Sequence, residues 1–407
     1  MKHVVVVGGG VIGLSAAQAC AQRGHRVTVI ERDRAKRGSS FGNAGMIVPS
    51  HVVPLAAPGM VALGLRWMWN PESPFYIQPR LDWELLRWAW LFWRASTCAQ
   101  VARAAPLLRD LHLASRALYE EIGDECGLVQ KGLLMLCKTQ RALDEEAHGA
   151  AQAVALGLPA EVLSAHETAA RDPSATMDIA GSVYFPRDCH LPPERYVAAM
   201  ERRIGDTMID AEVTGWRREG ARLAAVRTTS GEIEGDEFIL AGGAWSPALV
   251  RGLGLRLPMQ AGKGYSLTLR DPVELPSVCS ILTEARVAVT PMGTALRVGG
   301  TMEIAGFNER VSARRVAGIV KALPNYYPRF RPDDFDGLAP WCGLRPCSPD
   351  GLPYLGRTRA ADNLIVATGH AMMGLSLAPI TGALVAQLAD REPPLLDLTL
   401  LAPDRYA

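Results

Sequence analysis

The chain lacks any stretch near the roughly 18 consecutive apolar residues of a membrane-spanning helix, so a spanning role is not expected. It also lacks an excess of either charge. Forty-three Lys and Arg against 42 Asp and Glu leave a net charge of +1, with no long run of one sign. That removes the basic footprint of a nucleic-acid-binding protein. The eight cysteines, at 20, 98, 126, 137, 189, 279, 342 and 347, form no C-x-x-C pair and have no finger-like histidine spacing. Free thiols in a reducing cytoplasm are expected, and no metal site. Internal repeats and low-complexity linkers are missing too. The first apolar run is only four valines and passes straight into a glycine turn, unlike a secretory leader. What remains is 407 residues, 48% hydrophobic and 21% charged, enough for two globular domains or one large one.

What is present begins at once. Val4-Val5-Val6-Val7 runs into Gly8-x-Gly10-x-x-Gly13, and a short β-branched run bounded by glycines reads as a buried parallel strand. The glycines open a helix ending near Gly24, and Val27 to Ile30 forms the second strand. Gly8 allows the tight turn, Gly10 the approach of backbone N–H groups to a pyrophosphate, and Gly13 close helix–strand packing. Glu31 stands where a carboxylate accepts hydrogen bonds from an adenosine ribose. Strand, glycines, helix, strand and acid in register define a dinucleotide site. Val11 and Ile12 at the helix start and Arg32 after the acid join the expected contacts.

Further along, residues 47–80 are rich in Pro, Trp and Gly, which predicts irregular structure over a site. Helices are expected over 81–94, 101–126, 140–156, 193–204, 311–323 and 375–389, and strands over 133–137, 208–217, 222–229, 236–241 and 363–368. Residues 260–303 read as strongly β. A nucleotide-binding unit opens the chain, a similar strand–glycine–helix unit closes it, and an antiparallel-looking segment lies between. The expected fold class is therefore α/β with an α+β substrate domain. It consists of a discontinuous Rossmann-like domain, from 1–46, 140–172, 193–250 and 340–407, and an inserted antiparallel-sheet domain, from 47–139, 173–192 and 251–339.

Three later motifs carry chemistry. Phe238 to Ser246 is a buried strand ending in small residues, including Ala241, Gly242 and Trp245, and suits either a backbone passing beneath a cofactor or an ordinary turn. Gly343-Leu344-Arg345-Pro346 puts an arginine in an otherwise uncharged stretch. It is either one half of a structural ion pair or a fork for a substrate carboxylate. Val366 to Pro379 repeats the strand, glycine turn and helix start around His370, Met373, Gly374, Leu375 and Ser376. A positive helix end there would suit the charge of a reduced flavin. His370 is either a flavin contact or a turn histidine with a structural hydrogen bond.

With these segments, Ser40-Phe41-x-Asn43-Ala44-Gly45, Ala56 to Gly59, Lys263 to Thr268 and Arg297 to Asn308, the chain resembles the FAD-dependent D-amino acid oxidase superfamily, in its D-amino acid dehydrogenase branch. The resemblance implies non-covalent FAD, its diphosphate on the first glycine cluster and its ribose on Glu31. Ser39, Ser40, Asn43, Ala44, Gly45 and Met46 would line the flavin, and Val213 would present backbone to the adenine. Gly343 would lie near the flavin and Arg345 would grip the substrate carboxylate. Tyr265 and His51 would sit at the pocket mouth, with Arg286 a further candidate. Related dehydrogenases tend to carry tyrosine where this chain has His51, which leaves the substrate preference open. The implied reaction is hydride transfer from Cα of a D-amino acid to flavin N5 with no obvious protein base.

The expected partner is a D-amino or D-imino acid, with cis-4-hydroxy-D-proline or D-proline first and broad D-amino acids second. A sarcosine or glycine oxidase and a non-catalytic flavin-binding assembly protein are the alternatives. The expected electron acceptor is a quinone or respiratory chain, ahead of oxygen. Lys263 either promotes reaction with oxygen or is simply paired. Six of the nine tryptophans lie between 67 and 93. That segment is expected to be buried in the substrate domain, with peripheral contact to the inner face of the membrane as the alternative.

Overall fold

The computed structural model describes residues 1–407 other than 36, 37, 69 and 71. The valine run forms the strand His3–Val7 at the heart of a six-stranded sheet. Parallel neighbours Glu237–Leu240 and Arg26–Glu31 flank it, pairing Val6 with Ile239 and Val29. Met208–Asp210 extends one side in parallel. On the other side Ala361–Thr368 joins in parallel and Tyr354–Thr358 closes the edge antiparallel. Both faces are covered, so these strands are near-continuous hydrophobic runs rather than alternating ones.

The helix Val11–Gln22 packs against the C-terminal helix Ala378–Ala389. Their approach requires glycine, because a Cβ on Gly382 would meet Ser15 O at 2.4 Å. The helix Cys98–Ile122 also joins this core through Ala104, Leu108, Leu111 and Tyr119.

A second sheet carries the substrate side. Its order runs Trp341–Cys347, Gln260–Leu269, Ala295–Ile304, Val287–Met292, Cys279–Leu282, Leu133–Cys137, Gly181–Phe185, Glu161–Ser164, with Phe75–Ile77 paired beside Ala295–Ile304. The sheet is mostly antiparallel. Cys279–Leu282 and Leu133–Cys137 run parallel, as do Phe75–Ile77 and Ala295–Ile304. A small three-stranded sheet, Val213 to Glu234, pairs with neither and packs on the first through Leu223 and Val226.

Packing and pairing depart from the expected partition in several places, the helix Cys98–Ile122 on the nucleotide-binding core among them. Glu161–Ser164, from a segment assigned to the nucleotide-binding domain, pairs with Gly181–Phe185 in the substrate sheet. Trp341–Cys347, likewise assigned, pairs with Gln260–Leu269 there. Backbone pairing places both segments beside the substrate sheet. The segment 47–80, expected to be irregular, contains the helix Met60–Trp67 and the strand Phe75–Ile77. Its glycines do not break that helix: Gly59 serves as a left-handed N-cap, and Gly64 leaves room for the Phe75 ring.

The tryptophan-rich helix, Trp83–Ala95, corrects a further expectation. Asp82 caps it by accepting from the amides of Glu84 and Leu85. Only one face is packed: Leu85 and Trp88 are buried, and Trp88 Nε1 donates to Cys347 O at 2.9 Å. Trp83 and Trp93 are 78% and 62% exposed, and Leu86 and Trp90 are more than half exposed. Trp69 of the same cluster lies outside the described residues. No helix among the described residues is long and apolar enough to cross a membrane.

Candidate functional site

The first glycine turn is built by exclusion of side chains. Gly8 has φ +110°, and a Cβ there would meet Ala241 O at 2.4 Å. A Cβ on Gly13 would lie 1.8 Å from Gly8 O. The turn therefore presses the helix N-terminus against the strand ends, leaving its backbone N–H groups at the end of the sheet. Ser40 Oγ accepts from Val11 N at 3.0 Å, and a Cβ on Gly10 would meet that oxygen at 2.9 Å. Glu31 accepts from Gly9 N at 2.7 Å and Asp33 N at 3.0 Å, so its carboxylate is fixed beside the turn.

One cavity of about 1270 Å³ extends from this turn to the substrate sheet. Such a volume exceeds the roughly 300–1,000 Å³ of ordinary small-ligand pockets, as a dinucleotide plus a small second molecule requires. Most of the expected contacts line it: Gly8, Gly10, Val11, Ile12, Glu31, Arg32, Ser39, Ser40, Asn43 to Met46, Val213, Ala241, Gly242, Trp245, Gly343, His370, Gly374 and Leu375. Three do not. Gly13 packs on Gly8, Met373 belongs to the hydrophobic core, and Ser376 Oγ is taken by Val48 N at 3.0 Å and His112 Nδ1 at 2.8 Å.

The loop from Ser40 to Met46 is held from both sides. Asn43 donates to Ser40 O and accepts from Gly45 N. From the substrate sheet, Arg297 donates to the carbonyls of Phe41 and Asn43 at 3.3 and 3.1 Å, and Ser266 Oγ donates to Gly42 O at 2.7 Å. The Trp341 ring lies against Gly42 and Gly343, where any Cβ would meet it at 2.1 Å. The grip of Arg297, Ser266 and Trp341 on this loop escaped the sequence, because the loop lies more than 200 residues from each of them. The only local signal was a glycine, at 42 and at 343, with no visible reason to be small.

At the far end stands Arg345. Its guanidinium lies over Gly264, where a Cβ would meet Nη1 at 2.0 Å, and Nη1 donates to Thr301 O at 2.8 Å. The Thr301 carbonyl is offered by a residue with φ +71°, beside a bulge between Lys263 and Tyr265. Such irregularities re-aim groups at functional sites. Among the described residues no carboxylate pairs with Arg345, and burial pulls its pKa down with only Cys347 and Cys342 opposing. A half-buried guanidinium without a counter-ion is stabilised by a ligand that supplies one. The cavity in front of it therefore favours a carboxylate.

The remaining candidates divide. His51 and Arg286 line the same end of the cavity. Arg286 is exposed, in a turn with φ +53°. Burial first and Arg286 second hold the His51 pKa down to about 4. Tyr265 also lines the cavity but is buried rather than at a mouth, and its hydroxyl donates to Glu303 at 2.8 Å. Lys263 is paired: its Nζ donates to Arg310 O at 2.9 Å and lies 3.4 Å from Glu303. His370 has a structural bond, Nε2 to Thr381 Oγ1 at 3.1 Å, although it also borders the cavity. Cys342 and Cys347 do not line the cavity.

A glycine-cradled dinucleotide turn sharing one cavity with an unpaired arginine defines a class: an oxidoreductase that holds a dinucleotide cofactor beside a small anionic substrate. Comparison with known proteins makes it specific. Residues 3–388 match the family described as FAD dependent oxidoreductase, and the chain belongs to that family. It is 35% identical to a D-amino acid dehydrogenase of Methylobacterium radiotolerans and 32% identical to one of Granulibacter bethesdensis, each over 100% of both chains. Among solved structures it resembles glycine oxidase from Geobacillus kaustophilus, with TM-score 0.77, 27% identity and full coverage of both chains. The resemblance read from the sequence is thus borne out, as are the α/β class and FAD as the cofactor. The cradle of glycines, the fixed Glu31 carboxylate and the length of the cavity fit that cofactor.

Proposed function

We propose that this protein is an FAD-dependent D-amino acid dehydrogenase whose preferred substrate is a cyclic D-imino acid, cis-4-hydroxy-D-proline or D-proline. The observation that carries the reading is Arg345, a half-buried guanidinium with no acidic partner among the described residues, facing the cavity that the dinucleotide turn opens. Two parallel N–H donors suit a carboxylate and fix its plane. Thr301 O orients the guanidinium by accepting from Nη1. FAD, when bound, supplies the two-electron acceptor for Cα–H cleavage. The protein's own contribution is orientation and exclusion of water, with Arg345 setting the face of Cα that is presented. Val48, Met135, Ile281 and Ala288 line this cavity as apolar wall, which suits a hydrocarbon ring better than a charged side chain. A cyclic substrate would leave as a pyrroline carboxylate.

Non-covalent attachment is supported by the absence of Cys342 and Cys347 from the cavity wall. The pairing of Lys263 favours a quinone or respiratory carrier over oxygen as acceptor. The exposed Trp83, Leu86, Trp90 and Trp93 support peripheral contact with a membrane surface, where such a carrier resides. Sarcosine or glycine oxidation is the second reading, favoured by the glycine oxidase likeness at 27% identity.

The test is anaerobic mixing of the flavoprotein with both prolines, the hydroxyprolines, acyclic D-amino acids, sarcosine and glycine. Fastest bleaching by a cyclic D-imino acid is expected. Bleaching by sarcosine or glycine alone, with peroxide formed in air, would transfer the protein to the second reading. Bleaching by none of them would leave a non-catalytic flavoprotein.

A further inference from the structure

A line of three polar side chains runs from the cavity wall into the core. His51 borders the cavity, and Ser50 Oγ lies 3.0 Å from its Nδ1. Ser50 Oγ donates to Asp188 Oδ2 at 2.5 Å, and Ser50 N donates to Asp188 Oδ1 at 3.0 Å. Asp188 is 1% exposed and directly precedes the short strand Cys189–His190, which pairs with Met46–Ile47. The ribbon that carries the flavin-side loop therefore also carries this carboxyl.

The proton count fixes the direction of the line. A serine hydroxyl has one proton. Given to Asp188, it leaves Oγ to accept from Nδ1–H, so His51 Nε2 is bare. Among the described residues Nε2 has no hydrogen-bond partner.

We propose that His51, Ser50 and Asp188 form a proton relay that takes the ammonium proton of the bound amino or imino acid. The proposal rests on the reading of the protein as an amino acid dehydrogenase. The substrate N–H bond breaks as His51 Nε2–H forms. The Nδ1 proton passes to Ser50 Oγ, and the former hydroxyl proton passes to Asp188 Oδ2. Nothing is oxidised or reduced in this step. The substrate is left with the nitrogen lone pair that Cα–H cleavage requires, and the imidazole ends neutral.

The surroundings suit storage on the carboxyl rather than on the ring. Arg286 faces His51 and opposes an imidazolium, and the buried His112, also neutral, is coupled to it. Glu146 in turn interacts electrostatically with Arg286. Around Asp188 stand Arg116 at a distance and the thiols of Cys189 and Cys279, which burial keeps protonated. Burial pushes Asp188 up to about 7. The relay is therefore open to a proton above about pH 7 and filled below it.

The experiment is rapid anaerobic mixing of the holoenzyme with D-proline across pH 6–10 for the natural protein, Ser50→Ala and Ser50→Thr. The natural protein's second-order rate of flavin reduction should level off above about pH 7. Ser50→Ala should be about 100-fold slower near neutrality and climb about tenfold per pH unit, tracking the free amine of the substrate. Ser50→Thr, which keeps a hydroxyl, should restore most of the plateau. A second readout needs no turnover. Adding D-proline to dithionite-reduced holoenzyme should raise the carbonyl infrared band of a protonated carboxyl, and Asp188→Asn should abolish it. An unchanged rate profile in FAD-loaded Ser50→Ala, or a band that survives Asp188→Asn, overturns the relay alone. Should Ser50→Ala fail to hold FAD, the infrared comparison decides. If no D-amino acid reduces the natural protein, the functional reading fails and the relay falls with it.

Discussion

The two ends of the cavity are made of different material. At the dinucleotide end the determinants are backbone: Gly8, Gly10 and Gly13 clear space for N–H groups, and one local carboxylate, Glu31, lies 22 residues from the amide it accepts from. At the substrate end the determinants are side chains brought from afar. Arg345 meets Thr301 across 44 residues, and Ser50 meets Asp188 across 138. The first end can be changed little without losing the cofactor. The second can be re-equipped on the same sheet, as suits a family whose members differ in substrate.

The largest effect that would break this contrast is at Gly13. A methyl placed 1.8 Å from Gly8 O has no room, so Gly13→Ala should cost about 3 kcal/mol or more and yield protein without FAD. Absorbance of the purified variant checks this, and full flavin content would show that the turn can give way.

Next is Arg345→Leu. It should retain FAD but lose about a thousandfold in the efficiency of flavin reduction, about 4 kcal/mol at 1.36 kcal/mol per decade. Arg345→Lys keeps the charge without the fork and should fall between the two.

Acid should act through the buried histidines. His51, His112 and His370 are held near 3 to 4 by burial, as is His190 on the ribbon beside Met46–Ile47. A histidine whose folded pKa is depressed loses stability as pH falls from the unfolded value near 6.5 toward the folded one, because only the unfolded chain takes the proton. Asp188, raised to about 7, runs the opposite way and gains stability as pH falls through that value. The histidines outnumber it, so thermal unfolding temperature should drop between pH 6.5 and 4. His112→Gln should flatten the slope by up to about 3 kcal/mol. An unchanged slope would show that another group sets acid stability.

The smallest effect is expected outside the cavity. Replacing Trp83, Trp90 and Trp93 with serine should lower co-sedimentation with anionic vesicles about tenfold and leave flavin reduction by substrate unaltered. Equal sedimentation of both forms would make the exposed face irrelevant to membranes.

The same contrast explains what could be read in advance. The nucleotide-binding sheet was legible because buried parallel strands are written as valine and isoleucine runs beside glycines, and Leu133–Cys137 and Pro193–Ile204 fell where expected. Arg345 was legible as an isolated charge, but its freedom from an ion pair was not. That depends on which strands flank Trp341–Cys347, and its pairing with Gln260–Leu269 leaves no mark in the local sequence. The Thr301 carbonyl was hidden because a residue at φ +71° inside a strand leaves no mark in composition. The Asp188–Ser50–His51 line was hidden because two of its members are ordinary loop residues until Met46–Ile47 pairs with Cys189–His190. Helix Met60–Trp67 was missed for a local reason: its flanking Pro58 and Gly59 are turn signals that here serve as a cap.

The central claim is that the unpaired guanidinium of Arg345 holds the substrate carboxylate beside the cofactor. Anaerobic titration of the flavoprotein with D-proline or cis-4-hydroxy-D-proline, natural protein beside Arg345→Leu with equal FAD content, tests it most directly. The natural protein should bleach saturably, and the variant almost not at all at the same concentrations. Equal bleaching of both, with the same half-saturation, would contradict it.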